Sequence, residues 1–271
     1  MGVVNVTPDS FSGDGCLRGK SDFIAHAVGH ARRLIDDGAD IIDIGGESSR
    51  PGAVRISVAE ELRRVIPPLS KLAKTCRVPI SVDTYKTTVA RHALDAGAAI
   101  VNTIKGTSAE RSFLKMVQRY DATIVLMHMR GIPRTMQKNI RYQNFIQDII
   151  ASLKTAVENC LEIGIKSDRI ILDPGIGFGK AFEHNLEILN KLREFQRLKK
   201  PVLIGTSRKS FIGKILDQEA PHLRLMGTVA SVCAGVHNGA HVVRVHDVKA
   251  VREAVLVIDA IINHSSTLKS I

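Results

Sequence analysis

Short runs of apolar and β-branched residues alternate along the chain with longer segments in which apolar residues recur at helical spacing. The runs are too short for helices and are bounded by turn residues, which is typical of buried strands. They predict eight strands, near residues 2–6, 41–44, 80–82, 100–102, 123–127, 170–173, 202–205 and 242–245. The longer segments predict the intervening helices, for example 22–37, 58–74, 86–96, 144–163 and 248–262.

This regular alternation of strand and helix predicts the fold. Strands that are apolar on both faces, each separated from the next by a helix, indicate a parallel sheet with right-handed crossovers, either open or closed. Eight such units favour closure. We therefore expect one α/β domain over residues 1–271, a (β/α)₈ TIM barrel around a parallel eight-stranded closed sheet. Gly38, Gly97 and Gly239 each separate a helix from the next strand, where glycine commonly caps the helix in the left-handed conformation.

The composition limits the compartment and the partners that are expected for this fold. Hydrophobic residues make up 44% of the chain, and no apolar run approaches the length that a membrane span requires. The four cysteines are far apart and form no CxxC motif, so neither a disulfide framework nor a zinc site is indicated. The net charge of +11 is spread along the chain and aromatic residues are few, which argues against a nucleic-acid partner. We expect a soluble, cytoplasmic enzyme whose basic surface attracts an anionic small substrate.

Polar residues follow most of the predicted strands. The first two strands run into long glycine- and hydroxyl-rich segments, at residues 5–15 and 45–52. Later strands end in single polar groups, namely Asp83, Asn102, His128, Asp173, Arg208, Lys209, Arg244 and His246. Because the carboxyl ends of barrel strands meet at one face, these groups are expected to lie together. A structural ion pair or cap is nevertheless the better individual explanation for Asp43, His128, Arg208 and Asp247.

The residue types at this face indicate two half-sites. Carboxylates and an asparagine suit a planar heterocycle with adjacent N–H donors, and a lysine can donate to a ring oxygen or nitrogen. Arg50, Arg244 and His246, together with the loop hydroxyls, suit a dianionic group such as diphosphate. The sequence contains no nucleophile elbow, HExxH motif or Walker A loop, and the segment 175–179 is not the dinucleotide GxGxxG.

Seven segments, in order along almost the whole chain, together resemble the dihydropteroate synthase family of pterin-binding TIM barrels. They are residues 5–12, 43–52, 81–86, 127–131, 173–180, 205–210 and 244–248. The resemblance implies a transferase that condenses 6-hydroxymethyl-7,8-dihydropterin diphosphate with 4-aminobenzoate to 7,8-dihydropteroate and diphosphate. This is a step of folate biosynthesis and the target of sulfonamide drugs.

The resemblance also implies roles for individual residues. Asp83, Asp173 and Lys209 would be catalytic and, with Asn102, would hold the pterin. Asn5 would help to bind Mg²⁺ and diphosphate, and Arg50, Arg244 and His246 would hold the diphosphate. The aminobenzoate pocket would be shaped by Ser49, Pro51, Phe11, Phe178 and Ser210. A homodimer packed through the late barrel helices is implied as well.

Two positions depart from the family pattern, and two other functions remain open. Thr103 stands where the family usually has aspartate, which removes one carboxylate, and Ser49 stands where threonine is usual. One alternative is a methyltetrahydrofolate:corrinoid methyltransferase, which shares the fold and pterin pocket but needs no diphosphate half-site. The other is a non-catalytic basic barrel. The serine- and arginine-rich segments 48–52, 207–210 and 244–246 favour the synthase.

Overall fold

The structure, a computed structural model, describes residues 1–7, 22–49, 52–133, 135–137 and 140–267. Three of the residues proposed for the site, Phe11, Arg50 and Pro51, lie outside these ranges. The strands are β1 Gly2–Asn5, β2 Ile42–Gly45, β3 Ile80–Asp83, β4 Ile100–Thr103, β5 Thr123–Met127, β6 Ile170–Asp173, β7 Leu203–Ile204 and β8 Val242–Val243. The α-helices are α1 Phe23–Asp36, α2 Val58–Ala73, α3 Thr87–Asp95, α4 Arg111–Arg119, α5 Phe145–Ile163, α6 Phe182–Asn190, α7 Ser210–Leu216, α8 Leu225–His237 and α9 Val248–Thr267.

The strands pair in parallel, as the alternation with helices predicts. β1 to β6 form one sheet in chain order, and β7 pairs with β8 in a second, two-stranded sheet. Isolated parallel bridges join Leu172 to Val202 and Gly2 to Val245. The amide of Val3 also donates to the carbonyl of Val245 at 3.1 Å. β7 and β8 are thus shorter than predicted, since regular pairing covers only two residues of each, and single bridges link them to β6 and β1.

Apolar residues of the strands form two separate clusters. Outward positions such as Ile44, Val82 and Leu172 pack in a large core with the buried faces of the helices. Inward positions form a smaller cluster, to which every strand except β3 contributes a residue of its own or of its immediate flank. Its members are Met1, Ile41, Ile100, Val125, Ile171, Leu203 and Val242. Since side chains alternate between faces along a strand, the inner cluster fills the amino-terminal end of the sheet and leaves the carboxyl end to polar residues.

The helix ends show why these segments are helical. Asp22 caps α1 by accepting from the amide of Ala25, and Ser57 caps α2 by accepting from the amide of Glu60. At the other ends Gly38, Gly97 and Gly239 have φ values of +95°, +108° and +96°, which confirms the predicted glycine caps. Among the helices described, none combines the length and apolarity that crossing a bilayer would require.

Candidate active site

Arg244, immediately after β8, lies at the centre of the polar end of the sheet. Its Nε donates to Oδ2 of Asp43 at 2.6 Å, and its Nη2 donates to Oδ2 of Asp83 at 2.9 Å. Asn102 donates from Nδ2 to the same Asp43 oxygen at 3.1 Å. Asp43 is completely buried, as expected for a residue whose charge is compensated by an ion pair. β2, β3, β4 and the end of β8 therefore contribute to one connected polar network.

Burial raises the pKa of two carboxyl groups at this face. Burial raises the pKa of Asp83 to about 7, although Arg244 opposes the shift. Burial also raises the pKa of Asp173, at the end of β6. Two influences oppose this shift: the amide of Gly175, which donates to Asp173 Oδ1 at 2.7 Å, and the positive charges of Lys209 and Lys180. Strongly shifted carboxyl groups in a cleft are typical of functional sites.

Lys209 projects from the segment after β7 towards the segment after β6. Its Nζ donates to the carbonyl of Ile176 at 3.0 Å and lies 4.2 Å from the ring centroid of Phe178. Burial lowers the pKa of Lys209 to about 8, against the charge of Asp173. The lysine thus reaches the same region as the two carboxyl groups, with an aromatic ring beside it.

The position of Lys209 depends on an unusual backbone conformation at Arg208. Arg208 has a φ of +58°, a region that costs most non-glycine residues about 1–3 kcal/mol. Its side chain is held by Asp247, with Nε to Oδ2 at 2.9 Å and Nη2 to Oδ1 at 2.5 Å. Its amide also donates to Thr228 Oγ1 at 3.0 Å. A structural ion pair or cap was expected for each of Arg208 and Asp247, and the structure shows that they pair with each other. This ion pair fixes the turn that presents Lys209.

The segment after β6 is glycine-rich because its backbone requires it. Gly175, Gly177 and Gly179 all have positive φ, and a Cβ on Gly175 would lie 1.9 Å from the carbonyl oxygen of His128. Lys180 follows these glycines. Its Nζ is hydrogen-bonded to the carbonyl of Phe178 and to two atoms of His128, the carbonyl oxygen and Nδ1. The sequence interpretation assigned no role to Lys180, although it ends the 173–180 segment.

Several residues predicted for the diphosphate and for the aminobenzoate pocket follow strands β1, β2, β7 and β8. Asn5 ends β1, and Ser49 is half-buried in the segment after β2. His246 donates its amide to Ser207 Oγ at 3.2 Å, and its Nδ1 lies 2.9 Å from the same oxygen. Ser210 is exposed at the start of α7, directly after Lys209. These placements leave the individual ligand roles as predictions.

A second ionic network, which the sequence interpretation missed, anchors the segment after β2. Lys86 lies within 2.6 Å of both Glu47 and Glu61, and the hydroxyl of Tyr85 donates to Glu47 at 2.7 Å. Glu47 immediately precedes Ser48 and Ser49. The sequence signal that could have predicted this network is the pair of opposite charges after two neighbouring strands. Glu47 lies in the GGESS motif after β2, and Lys86 lies in the DTYK motif after β3.

The oxygen donors at this face fit a magnesium ion only in company with a phosphate-bearing ligand. Within the described ranges no three His, Cys, Asp or Glu side chains are grouped so that they could hold a metal. Asn5 offers one carboxamide oxygen, and Mg²⁺ typically binds one or two protein oxygens while substrate phosphates and water complete its shell. The chemistry of the donor set is therefore compatible with Mg²⁺ carried by a diphosphate.

Comparisons with known proteins identify the family of this chain. Residues 1–246 match the family model of pterin binding enzymes, and the chain therefore belongs to that family of enzymes. It is 47% identical over 263 residues to the dihydropteroate synthase of Bacillus subtilis, a match that covers 97% of this chain and 88% of that protein. Within the family it thus falls among the dihydropteroate synthases, transferases of folate biosynthesis, as the seven segments predicted.

Solved structures give the same result. The Yersinia pestis dihydropteroate synthase in complex with a sulfonamide drug matches with a TM-score of 0.92 and 40% identity, over 97% of this chain and 94% of that chain. The Xanthomonas albilineans dihydropteroate synthase with 4-aminobenzoic acid matches with a TM-score of 0.88 and 39% identity, over 96% and 92% of the two chains.

Proposed function

We propose that this chain condenses 6-hydroxymethyl-7,8-dihydropterin diphosphate with 4-aminobenzoate, giving 7,8-dihydropteroate and diphosphate. The convergence of Asp83, Asn102, Asp173 and Lys209 around Arg244 is the observation that carries the proposal. A carboxylate accepts two parallel hydrogen bonds from the amino and ring N–H groups of a pterin, and an amide side chain both donates and accepts. Lys209 supplies a donor for a ring oxygen or nitrogen.

The diphosphate would lie beside this pterin site. Asn5 ends β1, and His246 follows Val245, which bridges to β1. Arg50 comes directly after Ser49 in the sequence. Arg244 is bonded to Asp43 and Asp83 in the described structure, so a contact with the diphosphate would add to these ion pairs. Mg²⁺, held by Asn5 and the diphosphate oxygens, would supply additional positive charge to the leaving group.

The reaction needs charge stabilisation rather than a covalent enzyme intermediate. The bond between the pterin methylene carbon and the diphosphate oxygen breaks, and its electron pair leaves with the diphosphate. The carboxylates of Asp83 and Asp173 stabilise the positive charge that develops on the pterin, while His246 and Arg50 stabilise the departing anion. The amine lone pair of 4-aminobenzoate forms the new C–N bond, and one amine proton is released to solvent.

The second substrate would bind next to Lys209. The ring of Phe178 lies beside the lysine ammonium, and Ser210 follows it in the chain. Ser49, Pro51 and Phe11 complete the aminobenzoate pocket in this proposal. Support comes from the Xanthomonas albilineans structure, which contains 4-aminobenzoic acid, and from the Yersinia pestis structure, which contains a sulfonamide drug.

We further infer that residues 1–271 form one closed (β/α)₈ barrel. The bridges from β6 to Val202 and from β1 to Val245 support closure, as does an inner apolar cluster shared by strands at both edges of the large sheet. A homodimer through α8 and α9 is also proposed. Met226, Leu256 and Val257 expose 74%, 56% and 61% of their surface on these two packed helices. The cytoplasmic location stays a prediction.

One assay tests the proposed reaction directly. Purified protein is incubated with the dihydropterin diphosphate, labelled 4-aminobenzoate and Mg²⁺, and both dihydropteroate and diphosphate are measured. Asp83→Asn and Lys209→Met should reduce the rate at least about 100-fold, as expected when groups that act on the transition state are removed, whereas the exposed Lys191→Met should not. Folded wild-type protein that binds pterin but yields neither product would contradict the proposal. Methyl transfer from methyltetrahydrofolate to a corrinoid would favour the alternative enzyme.

A further inference from the structure

Lys180 is a buried lysine to which the proposed reaction assigns no task. Only 2% of its surface is exposed, and it ranks among the largest fully buried side chains of the described residues. Its Nζ contacts three acceptors: the carbonyl oxygen of Phe178 at 2.9 Å, Nδ1 of His128 at 3.1 Å and the carbonyl oxygen of His128 at 3.2 Å. Burying an ammonium group is costly unless it is paired, and a buried ionisable group in a functional site is a candidate for a role there.

The contacts of Lys180 join two strand ends. His128 directly follows β5, whereas Phe178 belongs to the glycine-rich segment 174–179 after β6. That segment carries two contacts to the pterin site, since the amide of Gly175 donates to Asp173 Oδ1 at 2.7 Å and the carbonyl of Ile176 accepts from Lys209 at 3.0 Å. The orientation of both side chains therefore depends on where this backbone lies.

Three uncharged side chains also form hydrogen bonds to the same segment. Gln137 donates to the carbonyl of Gly177 at 2.9 Å, and Tyr142 donates to the carbonyl of Gly179 at 2.9 Å. Asn185 accepts from the amide of Gly177 at 2.6 Å. Lys180 differs from these three side chains because it brings a cation to the segment.

We propose that Lys180 is a positioning residue for pterin binding, which ties the 174–179 segment to His128 and so orients Asp173 and Lys209. This inference rests on the proposed function, because it concerns the same pterin site. Lys180 acts through the two side chains and has no contact with substrate of its own. Its charge has a second effect, because a cation near Asp173 favours the ionised carboxylate that accepts the pterin N–H groups.

The titratable groups around Lys180 and Asp173 are consistent with this effect of Lys180 on the ionisation of Asp173. Asp173 is influenced by Lys209, Lys180 and Arg244, and Asp83 lies near enough to interact with it. Lys180 is influenced by Asp173 and Lys209, and burial lowers its pKa to about 7. His128 is neutral near pH 7, because burial, with Lys180 and Arg130, lowers its pKa to about 3. His128 Nδ1 is then an acceptor for the lysine ammonium.

The test compares Lys180→Met, which keeps the volume and removes the charge, with Lys180→Arg, which keeps the charge. Lys191→Met is the matched control, because Lys191 is exposed at the end of α6 and forms an ion pair with Glu187. Affinity for the non-reactive 6-hydroxymethylpterin is measured as a function of pH. We expect Lys180→Met to weaken binding by about 10- to 100-fold, as misplaced binding groups typically do, and to move the acid limb of binding to higher pH. Lys180→Arg should keep the acid limb of the wild type.

A folded Lys180→Met protein with wild-type affinity and an unchanged acid limb would overturn the proposal, whereas a lowered melting temperature alone would reveal only a structural brace. If Lys180→Met does not fold, wild-type protein with ¹³C-labelled lysine Cε gives a second test. Saturation with 6-hydroxymethylpterin keeps Asp173 ionised and should raise the pKa of Lys180, and an unmoved titration would refute the idea. Wild-type protein that fails to bind any pterin would instead contradict the proposed function itself.

Discussion

Arg244 Nη2 lies 2.9 Å from Oδ2 of Asp83, although the two residues are 161 positions apart in the sequence. Sequence interpretation assigned the arginine to a diphosphate half-site and the aspartate to a pterin half-site. Their ion pair couples the two predicted half-sites electrostatically. We therefore expect the departure of an anion from one half-site to change the pKa of the carboxyl group in the other.

Replacing Arg244 should damage both stability and catalysis. Arg244→Met leaves the buried Asp43 and the partly buried Asp83 without their cation, and removing one partner of such a pair costs about 3 kcal/mol or more. Arg252→Met is the matched control, because Arg252 pairs with the exposed Asp40 and should cost less than about 1 kcal/mol. Urea unfolding and kcat/KM for the pterin diphosphate measure the two effects. Equal losses of stability in both variants would contradict the central position of Arg244.

Pterin binding should strengthen as the pH rises through about 7, the pKa to which burial raises Asp83. The ionised carboxylate accepts the pterin N–H groups, whereas the protonated form accepts them poorly. Affinity for 6-hydroxymethylpterin, measured from about pH 5 to about pH 9, checks this expectation. Asp83→Asn should weaken binding and remove most of this dependence, with the remainder due to Asp173. A wild-type affinity that falls over the same range would be inconsistent with an ionised Asp83.

The same carboxyl group should affect stability with the opposite sign. Because folding raises its pKa from 3.8 to about 7, the folded state favours the protonated form. That contribution to stability is fully present below pH 3.8 and is lost as the pH rises through about 7. The difference in unfolding free energy between the wild type and Asp83→Asn should therefore change over this window, in a direction that disfavours the wild type at higher pH. A constant difference would indicate an unshifted pKa.

The threonine at position 103 should be compatible with full activity. Asn102 points to the Asp43 network, and successive side chains of a strand point to opposite faces. Thr103 is buried on the other face, where its Oγ1 accepts from the amide of Lys105 at 3.4 Å. Thr103→Val should therefore change kcat/KM less than about threefold and cost about 1 kcal/mol or less of stability. A large drop in kcat/KM with unchanged stability would place Thr103 in the reaction.

Much of the fold and the location of the site could be predicted from local sequence patterns. Strand and helix positions depend on apolar periodicity, and parallel strands bring their carboxyl ends to one face. Asp83, Asn102 and Asp173 could therefore be predicted at this face from position alone. The glycine caps at residues 38, 97 and 239 were equally predictable, because few other residues adopt a positive φ at a helix end.

The contacts between strand ends could not be predicted in the same way. Which carboxylates pair with Arg244 depends on side-chain rotamers across the sheet, and Asp43 and Arg244 are 201 residues apart. Lys180 was missed because lysine is normally a surface residue, and nothing in its local sequence indicates that it turns inward. Both contacts became visible only when the neighbouring strand ends were placed beside each other.

Gly175 offers the strictest test of the segment that orients Asp173. Its φ is +73°, and a Cβ would lie 1.9 Å from the carbonyl oxygen of His128, a backbone atom that cannot move independently. Gly175→Ala should therefore cost clearly more than the roughly 1–2 kcal/mol of a left-handed backbone alone, and pterin affinity should fall with it. The expected loss of affinity follows because the amide of Gly175 holds Asp173 in place.

The Gly52→Ala variant measures the backbone strain of a left-handed conformation without the steric overlap expected for Gly175→Ala. Gly52 has a similar φ of +80°, but a Cβ there would meet no atom within 4 Å among the described residues. It should show only the backbone cost and retain its pterin affinity. Urea unfolding of both variants distinguishes the cost of backbone strain from the cost of steric overlap. Binding of 6-hydroxymethylpterin is measured on the folded fraction of each. If Gly175→Ala proves no more destabilising than Gly52→Ala, the close approach of the segment to His128 is incorrect, and the route by which Lys180 orients Asp173 fails with it.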